Sequence, residues 1–154
     1  MRLDAIWRIL CYDFSMTQSG ALAFSLKTSG MAQRELIERI KSGLKFGVLE
    51  SLSSATGQPL AELASRVGIP PRTLARRKSS GKLSMEESER VVRLAGLYEK
   101  AAELFNGDVM NARQWMSQPK KALGGESPLD YAATELGARE VENLIGRLEH
   151  GVFA

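Results

Sequence analysis

Arg72, Thr73, Arg76, Arg77 and Lys78 lie within seven consecutive positions, with Arg66 and Lys82 on either side. Their chemistry is recognition. A guanidinium fork can donate to O6 and N7 of guanine, while the remaining cations and hydroxyls hold phosphates. Nothing in the chain supplies a catalytic alternative. Cys11 is the only cysteine and His150 the only histidine, which leaves no internal disulfide, no metal-ligand spacing and no Cys–His nucleophile pair. The pair Gly124–Gly125 lacks the G-x-x-x-x-G-K-[ST] spacing of a phosphate loop and reads as a turn needing φ > 0. His150 beside Glu149 has no nucleophile within reach of the pattern, and reads as a helix-end or interface donor. The expectation is therefore no catalytic residue, no metal and no cofactor.

The elements that must position the basic cluster are legible in LAELASRVGIPPRTLARRK, from Leu60 to Lys78. Leu63, Val67, Ile69 and Leu74 fall where two short helices need apolar contacts, and Ala64 is small enough for close approach. Gly68 lies at the turn between them. Pro59 suits the start of the first helix, and Pro70–Pro71 opens the second where missing N–H groups cost little. This is a helix-turn-helix whose second helix turns Leu74 inward and its cations outward, as groove recognition requires. Arg77 departs from the motif, because that position is usually apolar. Either the helix ends early or another segment buttresses it. A plain helical hairpin with a solvated basic end is the competing reading, and the one-sided charge argues against it.

Charge is divided along the chain. Residues 1–82 hold 13 Lys/Arg against 6 Asp/Glu, and residues 83–154 hold 8 against 12, for a net charge of +3. A basic half joined to an acidic half implies one surface for nucleic acid and another for a different partner. At 154 residues and 44% hydrophobic, the chain can bury one good core or two small helical ones. No apolar run approaches the roughly 20 residues of a membrane span. The opening MRLDAIWRILCYDF is broken by Asp4, Arg8 and Asp13 and reads as no secretory signal, so a cytoplasmic location is expected.

Residues 1–30 read as a flexible or partner-dependent arm, with Met16 and Met31 as alternative starts. From Met31 two helical patterns follow, the first with Leu36, Ile37 and Ile40 on one face. Ser84 and Glu87 form a capping box opening a long helix. Its stripe of Val91, Leu94, Ala95, Tyr98, Ala101, Ala102 and Phe105 runs to a stop at Asn106–Gly107. Asp108 caps a short helix, and Ser127–Pro128 opens another. A last helix is expected from about Gly137 to His150, with Val141, Leu144, Ile145 and Leu148 forming either core or partner surface. No segment alternates as a strand does. The expected fold is all-α, with a helix-turn-helix and dimerisation domain over 31–106 and a small helical domain over 107–154.

From Leu60 onward the chain resembles the antitoxin of Res-Xre toxin-antitoxin pairs, the Xre/MbcA/ParS type. The residues that carry the resemblance are LASRVGIPPRTLARRK, LSMEESERVVRLAGL, Trp115 to Pro119, Ala122 to Gly125, Ser127 to Asp130, Gly137 to Val141 and Leu148 to Val152. The resemblance implies an Xre-like DNA-binding domain acting on the operator of its own promoter, and a C-terminal domain that binds a cognate Res-type toxin. Toxins of this family resemble ADP-ribosyltransferases and degrade NAD. The contact residues expected in the C-terminal half are Arg139, Glu142, Arg147, Glu149 and His150, with Val152 and Phe153 in a tail that enters the partner's cleft. A homodimer within a larger toxin-antitoxin complex is expected, since one short recognition helix reads few bases. The alternative function is a stand-alone transcription regulator whose C-terminal half senses a ligand.

Overall fold

A 20-residue helix near the middle of the chain organises the molecule. In the computed structural model, which describes residues 29–151, this helix is α5. The elements before it are α1 (Ser29–Ser42), α2 (Phe46–Thr56), α3 (Leu60–Arg66) and α4 (Pro71–Ser80), and α5 itself spans Met85–Leu104. After it come α6 (Val109–Ser117), a 3-10 turn (Lys121–Leu123), α7 (Pro128–Tyr131) and α8 (Glu135–Glu149). Among the described residues there is no named strand, only an isolated antiparallel bridge between Lys45 and Lys82.

Capping chemistry sets most of the boundaries. The Ser84 hydroxyl accepts from Glu87 N–H, and the Glu87 carboxylate accepts from Ser84 N–H, which starts α5. The helix stops where Asn106 takes φ 54° and Gly107 takes φ 88°. Asp108 accepts from the backbone N–H groups of Met110 and Asn111 at the head of α6, and the Ser127 hydroxyl accepts from Asp130 N–H at the head of α7. The last helix begins at Glu135, two residues before the expected Gly137, because Thr134 Oγ1 accepts from Gly137 N–H at 3.0 Å. Gly137 is itself buried and helical. A Cβ there would run into the carbonyl oxygen of Tyr131, so a side chain would push α8 off α7.

Burial on α5 covers more than the expected stripe. Val91, Leu94, Ala95, Tyr98 and Ala101 are buried, and so is Leu97, which lies beside the stripe. The reason is that α5 packs on α1 and α2 from the N-terminal half and on α6 and α8 from the C-terminal half. One hydrophobic cluster therefore runs from Leu44 to Ile145, crossing the expected boundary at 106/107. Each leucine withdrawn from water contributes about 2 kcal/mol. On α8, Val141, Leu144 and Ile145 belong to this core and Leu148 is half-buried against it. The arm expected over 1–30 lies outside the described residues, apart from Ser29 and Gly30, which open α1.

Candidate nucleic-acid interface and partner-binding half

The helix pair α3–α4 is built as its residues require. Leu63, Ala64, Val67 and Ile69 are buried, and Ile69 N–H donates to the Ala64 carbonyl at 2.8 Å. Gly68 turns the chain at φ 75°, where a Cβ would stand 2.6 Å from Arg90 Nη1, and that arginine donates back to the Val67 carbonyl at 3.3 Å. Pro70 is extended, and Pro71 occupies the first turn of α4. The consequence is a basic helix standing clear of the body. None of its residues is fully buried, and only Thr73, Leu74 and Arg77 are half-buried.

Arg72, Arg76 and Lys78 are exposed on α4, and Arg72, Arg76 and Ser79 follow the i, i+4, i+7 spacing of one face. Thr73 and Arg76 also line a cleft with Arg90 and the head of α5. Lys82 is exposed beyond the end of the helix, paired through backbone with Lys45. Two of the expected DNA contacts face elsewhere. Arg77 turns towards α5, where its Nε lies 2.7 Å from Glu87 Oε2. Arg66, the last residue of α3, donates from Nε to Asp130 Oδ1 at 2.9 Å and lies 3.4 Å from both Gln58 Oε1 and Glu62 Oε2. It is directed to the C-terminal half because Asp130 stands there already fixed by the Ser127 hydroxyl at 2.6 Å. That hydroxyl holds the Asp130 carboxyl below the usual range; burial opposes it, and Arg66 adds to the lowering.

Arg66–Asp130 is one stitch in a seam between the halves. Arg113 of α6 donates from Nε and Nη2 to the Ala55 carbonyl at 2.9 and 2.6 Å, and from Nη2 to the Ser54 carbonyl at 3.2 Å. It thereby caps the C-terminal end of α2, which has no basic residue in its own last turn. Gln58 Nε2 donates to Ser117 Oγ at 3.3 Å. Tyr98 sits in the field of Arg66, Arg113 and Asp130, and burial pushes its phenol up to about 12. Its hydroxyl is buried without a hydrogen-bond partner.

On α8 the expected contact residues separate into two groups. Arg139 pairs with Glu135 at 2.7 Å, and Glu142 pairs with Lys100 of α5. Both border a groove of about 530 Å³ between α1, α5 and α8, with Ile40, Val92, Gly96, Leu97 and Ala138 among its lining. Arg147 is half-buried and Glu149 is exposed in the last turn. His150 is the exposed C-cap, its backbone N–H donating to the Gly146 carbonyl. Val152 and Phe153 lie outside the described residues. Three large apolar side chains outside the expected set are also exposed: Leu136, 74% exposed in the first turn of α8, and Val109 and Met110 at the head of α6. The first signals itself by falling off the apolar period of its helix. Among the described residues no group of three or more His, Cys, Asp or Glu is placed to hold a metal ion, and no helix is long and apolar enough to cross a membrane.

Residues 35–96, which contain this basic helix pair, match the Antitoxin Xre-like helix-turn-helix domain, and residues 100–151 match the Antitoxin Xre/MbcA/ParS C-terminal toxin-binding domain. A protein of Yersinia enterocolitica named Antitoxin Xre is 45% identical over 120 residues, covering 77% of this chain and 81% of that one. The chain belongs to the Xre antitoxin family. An Antitoxin Xre of Photorhabdus laumondii is 36% identical over 116 residues, covering 75% of this chain and 78% of its own. A more distant relative from Sphingobium, named Prs ADP-ribosylating antitoxin, is 27% identical over 124 residues, covering 75% and 78%. As an Xre-family antitoxin the chain is all-α, with a helix-turn-helix domain followed by a toxin-binding domain.

Proposed function

We propose that this chain is a type II antitoxin that binds and inhibits a cognate Res-type, NAD-degrading toxin and represses its own operon as a cytoplasmic homodimer. The observation that carries the reading is the division of labour within one family member. An exposed basic helix stands on one half, and the other half matches a toxin-binding domain. The name of the Sphingobium relative joins ADP-ribosylation to an antitoxin, and an ADP-ribosyl group comes from NAD, which supports a partner that consumes this dinucleotide. In this reading residues 31–106 take the operator and the dimer contact, and residues 107–154 take the toxin. On DNA, Arg72, Thr73, Arg76, Lys78 and Lys82 make the contacts, Arg77 supports them from behind, and Arg66 ties α3 to the C-terminal half. Toward the toxin, Arg139, Glu142, Arg147, Glu149 and His150 orient α8, and Val152 and Phe153 anchor in the partner's cleft, where a buried aromatic supplies about 2 kcal/mol or more. The chain itself performs no catalysis.

Two truncation and substitution experiments separate the functions. Deleting residues 148–154 should abolish protection of NAD levels against the product of the adjacent gene while leaving operator binding intact. Arg72→Ala/Arg76→Ala should do the reverse. If the shortened protein still silences the toxin at equal abundance, the contact lies instead on the surface around Val109, Met110 and Leu136. If it copurifies with no neighbouring gene product and its operator affinity responds to a small molecule, the groove between α1, α5 and α8 is a ligand site and the stand-alone regulator is the correct reading.

A further inference from the structure

We infer that Arg77 is a positioning residue for operator recognition rather than a DNA contact, locking α4 to α5 through the capping-box carboxylate of Glu87. The inference rests on the reading of α4 as the recognition helix and adds how that helix is held.

A ten-residue helix has little stability of its own, and α4 buries no side chain fully. Its holds are few. At the N-terminal end Leu74 N–H donates to the Pro70 carbonyl, and at the C-terminal end Gly81 N–H donates to the Arg77 carbonyl. Leu74 supplies the apolar contact. Phe46 N–H donates to the Gly81 carbonyl at 2.8 Å, and Thr73 is half-buried. The charged hold is Arg77, which occupies the position where the motif usually places an apolar side chain, on the same side of the helix as Leu74. Its guanidinium reaches Glu87 Oε2 at 2.7 Å. The Nε hydrogen finds no aligned acceptor there, so the contact is held by charge.

The carboxylate is well suited to be such an anchor. Glu87 is only 7% exposed, and the same Oε2 accepts from Ser84 N–H at 2.8 Å while Glu87 N–H donates to Ser84 Oγ at 3.2 Å. One oxygen therefore both opens α5 and holds α4. Away from bulk water the pair is weakly screened. Moving Arg77 out to a phosphate would strand a buried carboxylate, which is costly. Arg77 should then release no counterion when DNA binds, and its loss should blur which bases Arg72 and Arg76 meet.

The test uses the full chain, a duplex from the region upstream of its own gene and a scrambled duplex of the same length, titrated over a range of salt. Arg77→Ala should lower the operator-to-scrambled affinity ratio by about tenfold, the worth of one base contact. The scrambled-DNA affinity and the salt slope should not change. A phosphate contact would instead lower the slope by about 0.9 with the ratio intact, and that result overturns the inference. Glu87→Gln keeps an acceptor for the capping box but removes the anchor's charge. It should weaken operator binding even though it makes the protein more positive, and it should be non-additive with Arg77→Ala. Stronger operator binding by Glu87→Gln refutes the lock. Arg77→Lys, which keeps the charge that faces Glu87, should recover part of the ratio, whereas Arg77→Gln, which loses it, should not.

A readout without DNA keeps the two readings apart. Amide hydrogen exchange at Leu74 to Lys78 should accelerate in Arg77→Ala, or in Arg77→Gln to a lesser degree if the alanine variant melts, while α8 is unchanged. Unchanged exchange along α4 sinks the positioning role whatever the DNA results. Unchanged operator affinity in Arg72→Ala/Arg76→Ala sinks the recognition-helix reading alone.

Discussion

Replacing Arg113 by methionine keeps the aliphatic stem but removes three hydrogen bonds to the Ser54 and Ala55 carbonyls. Hydrogen bonds to a charged group contribute about 1.5–3 kcal/mol, and a cation at a helix C-terminus adds about 0.3–1 kcal/mol. Part of this is returned, because Ser54 and Ala55 are exposed and their carbonyls can rehydrate. The net expectation is a loss of about 1–2 kcal/mol, or a fall in Tm of about 3–6 °C for a chain of this size. Scanning calorimetry at neutral pH measures it. Far-UV and near-UV circular dichroism followed in parallel should stay coincident, since both halves share the core around α5. Ser117→Ala, which removes only the acceptor for Gln58, serves as the mild control and should shift Tm by less than half as much. A Tm within 1 °C of the parent for Arg113→Met would show that the bonds to α2 contribute nothing net, and the reasoning that the seam is energetically real would be wrong.

Tyr98→Phe should be neutral or slightly stabilising at pH 7, because it removes a buried hydroxyl that has no partner. With the phenol raised from 10.0 to about 12, the unfolded chain loses the proton first as pH rises. Stability tied to Tyr98 is thus complete below pH 10 and declines by about 2–3 kcal/mol towards pH 12. Denaturant titrations of both proteins across that window should converge on the phenylalanine variant being the more stable. Gly137→Ala should cost about 1–3 kcal/mol by overpacking against the Tyr131 carbonyl, read as a lower denaturation midpoint, and an unchanged midpoint would mean that α8 slides freely. Light scattering should find a dimer, alone or on operator DNA, and a monomer in both states excludes the paired-half-site reading.

What the sequence made legible is what local chemistry determines. Ser84 with Glu87, Asp108 and Ser127 announce helix starts because a cap acts over three residues, and Gly68 and Asn106 announce turns for the same reason. The pairing of Arg66 with Asp130 and of Arg77 with Glu87 is not legible in the basic run. A run of arginines reveals its charge but not where each guanidinium points, and the partners Asp130 and Glu87 lie 64 and 10 residues further on. Arg113 carried no signal at all, since its acceptors are backbone carbonyls. The last helix was begun late because Leu136 falls outside the apolar period, although Thr134 was available as its cap. Leu97 was missed because a single stripe describes a helix buried on one side, and α5 is covered on both. The outward face of α4 needed only the inward position of Leu74 to be inferred.

That double coverage of α5 bears on how such proteins could exchange parts. A crossover at Gly107 looks natural on paper, since a helix ends there and a differently charged segment follows. It would nevertheless leave Leu97, Tyr98 and Ala101 packed against a foreign α6 and α8, with Arg113 and Asp130 replaced by whatever the donor carries opposite Ala55 and Arg66. A graft that exchanges the toxin-binding domain between relatives while keeping the helix-turn-helix domain must therefore transplant the C-terminal flank of α5 along with everything beyond it. Chimaeras joined within α5, upstream of Leu94, should tolerate the exchange better than chimaeras joined at the loop.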